Sequence, residues 1–186
     1  MVCCIGWNRR VRFLVGVGVA CGLFLGSGAI PADAIPQVRT VTKSEDSETT
    51  EGTLRYWVKN ALPTDIIGFS GAGTTVNLTS TLMLNKGLVL ASPATITQTG
   101  SGSVFSIPSG MSIGMSKLTI ASGKGASYGG GVTNAGTLTM NGCTVRNSSA
   151  SGSGGGVWNE GTLKMNDCTI ENNDCMYAGG GVGNNH

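Results

Sequence analysis

The residues able to do chemistry are few and fall late in the 186-residue chain. No carboxylate lies between Asp65 and Glu160; the last stretch then carries Glu160, Asp167, Glu171 and Asp174. Paired carboxylates work as general acid and base, and clustered ones hold Ca²⁺. Acids on strands and turns are more often simply solvated, and no catalytic set is assigned to them. The single histidine is the terminal His186, which removes any Ser–His–Asp arrangement. No Cys-x-x-Cys is present, so metal-ligand spacing is lacking as well. The glycine triplets at 129–131, 154–156 and 179–181 are not phosphate loops, since neither a helical pattern nor a Lys-Ser/Thr pair follows them. Nothing calls for a cofactor. The candidates for binding are Trp158 and Glu160. An exposed indole stacks on a sugar ring or on a partner protein; the alternative is a ring packed against a neighbouring turn.

The elements that must position these residues repeat every 25 residues. Gly129-Gly130-Gly131-Val132 returns as Gly154-Gly155-Gly156-Val157 and as Gly179-Gly180-Gly181-Val182. Gly136 to Asn147 falls on Gly161 to Asn172, and within each copy the apolar residues alternate: Leu138, Met140, then Cys143 and Val145. Alternation with period two marks strands with one buried face. Asn-Gly, Asn-Asp and Gly-Gly-Gly mark the turns between them. A unit this small cannot bury its own inner face, but stacked coils can, with like residues in columns. The expected inward columns are Ile107–Val132–Val157–Val182, Leu88–Ile113–Leu138–Leu163, Leu90–Met115–Met140–Met165 and Ile120–Val145–Ile170. Asn134, Asn159 and Asn184 should form an amide ladder, as should Asn141 with Asn166 and Asn147 with Asn172. Arg146 over Glu171 should form a surface ion pair. Cys143 and Cys168 share an inward column, where parallel neighbours point the same way; that geometry suits two buried thiols better than a disulfide. The glycines fit bends where backbones crowd or φ is positive.

Gly130-Gly131-Val132, Gly155-Gly156-Val157 and Ile170-Glu171-Asn172-Asn173 resemble the Gly-Gly-aliphatic and Phe-x-x-Asn repeats of bacterial surface proteins, the polymorphic outer-membrane proteins and autotransporter passengers among them. Thr133 and Trp158 stand where that motif has a second aliphatic residue. Thr53-Leu54-Arg55 and Ala61 resemble the Ser-Leu-Arg-Glu-Ala leader ahead of many bacterial β-helices. The resemblance implies an all-β, single-stranded right-handed parallel β-helix behind a short N-terminal capping helix.

Residues 1–34 read as an export signal, with Arg9, Arg10 and Arg12 leading an apolar stretch that ends in Ala32-Asp33-Ala34; Ala29 closes a second cleavage pattern. Residues 35–79 read as a capping segment, and 80–186 as the coils. In the cap, Leu54, Trp57, Val58, Ala61 and Leu62 fall on one face of a helix ended by Pro63 and Asp65. Val38–Lys43 and Ile66–Phe69 read as strands. Of 12 basic and 10 acidic residues, removal of the signal leaves nine of each, which argues against nucleic acid or an anionic membrane as partner. The chain reaches His186 partway into a coil, so the expectation is a truncated solenoid that self-associates through its open end. The functional expectation is a secreted or cell-surface, adhesin-like binding protein that meets a protein or glycan surface. The alternative is a carbohydrate-active β-helix enzyme lacking its catalytic coils.

Overall fold

The computed structural model describes residues 35–71 and 73–185; the export signal expected over 1–34 lies outside the described residues. The fold is a right-handed parallel β-helix of coils about 25 residues long, in about 6 turns. Three parallel sheets run along its length. The largest stacks Val38–Val41, Ile66–Phe69, Leu88–Gln98, Ser112–Ala121, Thr137–Asn141 and Thr162–Asn166 in that order. Thr74–Leu78 joins it beside the second half of Leu88–Gln98, and Thr144–Arg146 and Thr169–Glu171 continue that column. The second sheet stacks Leu82–Met83, Phe105–Ile107, Val132–Asn134, Val157–Asn159 and Val182–Asn184. The third stacks Lys124–Gly125, Ser149–Ala150 and Asp174–Cys175. Parallel pairing therefore begins upstream of residue 80, at Val38.

The inward columns follow from the alternation. Leu88, Ile113, Leu138 and Leu163 stack in register, as do Leu90, Met115, Met140 and Met165. Val76, Ile96, Ile120, Val145 and Ile170 form a third, two strands longer than the repeat alone shows. The fourth differs from expectation. Val132 lies over Phe105, 27 residues back, and Ile107 faces Asn134. Three length changes account for it, the largest being the stretch 98–104, which is three residues shorter than its successor 122–131. Between Ala91 and Ala94 the strand bulges by one residue, with Ser92 at φ 113°; the corner Pro108–Met111 is longer than its successor at Ala135–Gly136. The offset is back to 25 by Ser112 and Thr137.

Corners are made by single residues in the left-handed region, at matching places in successive coils. Gly142 and Asp167 (φ 59°, 51°) end one strand, and Lys117 (φ 58°) bends Ser112–Ala121 at the matching place; Ser122, Asn147 and Asn172 (φ 60°, 53°, 52°) end the next. Asn, Asp and Gly tolerate this region better than other residues. The first glycine of each triplet meets both demands expected of the glycines, with a positive φ and a carbonyl oxygen within 2.6 Å of where a Cβ would stand. Gly129, Gly154 and Gly179 take φ 59°, 67° and 72°. The following glycines of the first two triplets have no room for a side chain: a methyl on Gly131 would stand 2.6 Å from the Gly156 carbonyl oxygen, and one on Gly156 2.5 Å from that of Gly181.

The amide ladder is present inside the stack. Asn134 Nδ2 donates to Asn159 Oδ1 (2.6 Å), and Asn159 Nδ2 to Asn184 Oδ1 (2.7 Å). Asn134 and Asn159 are buried, and their remaining bonds go to backbone at Gly136, Gly161 and Thr162. Asn166 Nδ2 donates to Asn141 Oδ1 (2.7 Å) on the outside. Asn147 and Asn172 instead serve as left-handed corners. Arg146 and Glu171 pair in register without an ion pair, because two solvated charges on an exposed column gain little by meeting.

The helix forms over Leu54–Asn60. Thr53 caps it, accepting from Tyr56 N (3.2 Å), and Lys86 Nζ donates to the Ala61 carbonyl at its other end (3.0 Å). Leu54, Val58 and Ala61 are buried, and Trp57 packs against the same core while its Nε1 donates to the Thr40 carbonyl (2.9 Å). Leu62, expected on this face, is exposed. Helical geometry stops at Asn60, and Ala61 is already extended (φ −65°, ψ 149°) ahead of Pro63, so the helical phase no longer applies at Leu62.

Candidate functional site

Val157–Asn159 turns Val157 and Asn159 inward, both buried, and Trp158 outward. Trp158 stands in an outward column of Ser106, Thr133, Trp158 and Gly183. The indole covers Gly183, where an added Cβ would lie 2.7 Å from its six-membered ring. Its other neighbour is Tyr128, stacked with ring centroids 4.5 Å apart at 19°. The indole Nε1 donates to Glu160 Oε1 at 3.0 Å. The two residues singled out from sequence are thus brought together, and the ring packs against its neighbours. The more open ring is Tyr128, 47% exposed.

Sequence reasoning passed over Tyr128. Its repeat equivalents are Ser153 and Ala178, so no column advertises it; the stacking arises because the side chain leans across columns onto the next coil. The same corner carries Tyr177 (82% exposed) and Met176 (75%). Gly152 ties them together: the Tyr128 ring would lie 3.3 Å from a Cβ placed there, and Tyr177 N donates to its carbonyl (3.0 Å). The result is an amphipathic surface: two stacked rings, a third ring and a thioether nearby, and a carboxylate held by the indole N–H. Such a surface offers π-faces and edges to an apolar contact and an acceptor to hydroxyl or amide groups.

The remaining acids do not join it. Among the described residues no three His, Cys, Asp or Glu side chains lie where they could hold a metal ion. Cys143, Cys168 and Cys175 are free thiols. Burial pushes the Cys143 thiol up from its ordinary value, as suits a small core residue rather than a nucleophile. An open groove of about 280 Å³ beside the helix is lined by Glu48, Arg55, Lys59, Met83 and Lys86. Its cations are already committed: Arg55 to Asp46, Lys59 to Glu48, and Lys86 to the end of the helix. A shallower groove of about 400 Å³ lies over Val89, Gly114 and Thr139 on the outer face of the large sheet, without an aromatic or charged lining. No helix among the described residues is long and apolar enough to cross a membrane.

No family model matches the chain, and neither a curated protein nor a solved structure matches it.

Proposed function

We propose that this chain is an exported or cell-surface, non-enzymatic β-helix of the adhesin-like kind, whose outer surface meets a glycan or protein. The observation that carries the reading is the Tyr128–Trp158–Glu160 cluster with Tyr177 beside it. Large rings held by stacking lose little freedom on contact, and aromatic anchors contribute most where a surface is recognised. The column register keeps these side chains on a stiff scaffold, so a partner meets a preformed patch. The export segment and the resemblance of the glycine repeats to passenger domains support the location.

The test is a glycan array together with adhesion of the purified chain to intact cells, repeated with Tyr128→Ala and Tyr177→Ala. Saturable binding is expected, reduced by about tenfold in each variant, with circular dichroism unchanged; loss of one aromatic anchor of about 1.4 kcal/mol gives that factor. Binding at micromolar chain that ignores both substitutions, or none at all, defeats the reading. Reproducible cleavage of a polysaccharide on the same array overturns the non-enzymatic part.

A further inference from the structure

The aromatic patch carries one carboxylate and no counter-charge. Glu160 Oε1 accepts from the indole Nε1 at 3.0 Å, and Glu160 N donates to the Asn134 carbonyl at 2.7 Å, so the residue is fixed at its head and at its backbone. Glu160 is exposed, and it enters none of the ion pairs among the described residues. Its second oxygen, Oε2, stands at the rim of the rings as an acceptor.

The size and border of the patch limit what it can hold. One face of the Tyr128 ring lies on the indole and one edge lies by Gly152; the remainder is what leaves Tyr128 exposed. An aromatic side chain offers about 150–250 Å² when wholly covered, and Tyr128 and Trp158 already cover part of each other. Even with Tyr177 added, the rings fall short of the roughly 800 Å² per partner of a stable protein interface. Around them stand short hydroxyls. Ser153 pairs with Tyr128, Ser127 precedes it and is exposed, and Thr133 and Ser106 continue the column above Trp158. A ring-sized platform with a hydroxyl border fits a ligand that is ring-sized, apolar on one face and hydroxylated at its edge, which is a pyranose. Charge then sorts the pyranoses. An ionised carboxylate accepts from a sugar hydroxyl and repels a sugar carboxylate or sulfate.

We propose, resting on the surface-binding reading above, that the Tyr128–Trp158–Glu160 site takes a neutral pyranose. The sugar lays its C–H face against the Tyr128 ring and donates one hydroxyl to Glu160 Oε2, and the same carboxylate turns acidic sugars away. The indole N–H and the Asn134 carbonyl hold the glutamate in place beforehand, so little freedom is lost when the sugar arrives.

The probes are methyl β-glucopyranoside and methyl β-galactopyranoside, each beside its uronic acid counterpart, which has a carboxylate in place of the hydroxymethyl group. Each is titrated against the full chain by saturation-transfer NMR. The neutral sugar of each pair is expected to bind at least about fivefold tighter than the acidic one at low salt. The gap should narrow as salt rises from about 0.05 to 0.5 M, as screening requires. Glu160→Gln should close the gap within each pair. Tyr128→Ala should weaken the neutral sugars by about tenfold, with circular dichroism unchanged, while Thr139→Ala on the large sheet alters nothing. Equal binding within each pair, or a preference that survives Glu160→Gln, overturns the proposal. Binding of neither pair overturns it too; if adhesion to cells still depends on Tyr128 in that case, the surface-binding reading stands and its partner is a protein.

Discussion

A methyl group on Gly155 would collide with the carbonyl oxygens of Asp174 and Gly180, although Gly155 itself has no unusual φ. Gly110 is the converse case, with φ 80° and open space around it. The two separate the reasons a coil needs glycine. Gly155→Ala should cost roughly 1–3 kcal/mol as an overpacked contact between backbones, and should lower the urea midpoint accordingly. Gly110→Ala should cost about 1 kcal/mol from left-handed backbone strain alone. An unchanged urea midpoint for Gly155→Ala would mean that crowding between coils contributes nothing. The triplets were legible in the sequence as bends of one kind or the other. Which glycine does which was not, because the colliding atoms belong to coils 19 and 25 residues away. Tyr128 was illegible for a related reason: a side chain that leans across columns leaves no trace in a periodic alignment.

Two buried carboxylates anchor the capping segment. Asp65 accepts from Gln37 N (2.7 Å), Arg39 Nε (3.0 Å) and Leu62 N (3.1 Å). Asp46 accepts from Arg55 Nη2 (2.9 Å), Thr79 N (2.8 Å) and the Thr79 hydroxyl (2.9 Å). Burial by itself pushes both carboxyls up. The Arg55 and Thr79 bonds to Asp46, and the Gln37, Arg39 and Leu62 bonds to Asp65, outweigh it and hold both below the ordinary value. A carboxyl lowered in the fold stabilises fully above its unfolded value, about 4 for Asp. That contribution is lost as pH falls below about 4 and on through the folded value. Chemical denaturation should therefore show stability falling steadily below about pH 4, and Asp65→Asn should lose roughly 1–3 kcal/mol at neutral pH while flattening that acid limb. An unchanged acid limb would remove Asp65 from the account. The helix was readable from Leu54, Val58 and Ala61. Its anchors were not, since Asp46 and Thr79 lie 33 residues apart and no local pattern joins them.

Along the whole molecule each coil leans only on its neighbours, so stability is shared between nearest pairs. Hydrogen exchange should be slowest at Met115, Met140 and Val145, each stacked between two coils, and faster over the largely exposed loop 44–51 outside the stack. Equal protection of that loop and of the stacked strands would contradict nearest-neighbour stacking. The 25-residue period made this architecture readable, and the Leu, Met and Ile columns stand where it puts them. The Val132 column escaped because three irregularities cancel before the period can register them. That cancellation bears on how such a chain can change over generations. The strand near Ser92 is one residue longer than its successor and the Pro108–Met111 corner two longer, while the stretch 98–104 between them is three shorter, and Ser112 still meets Thr137. A perimeter can thus be redistributed among straight runs and bends provided its circuit closes, and lineages of this molecule are free to reshape an outer edge by matched gains and losses that a lone insertion would not survive.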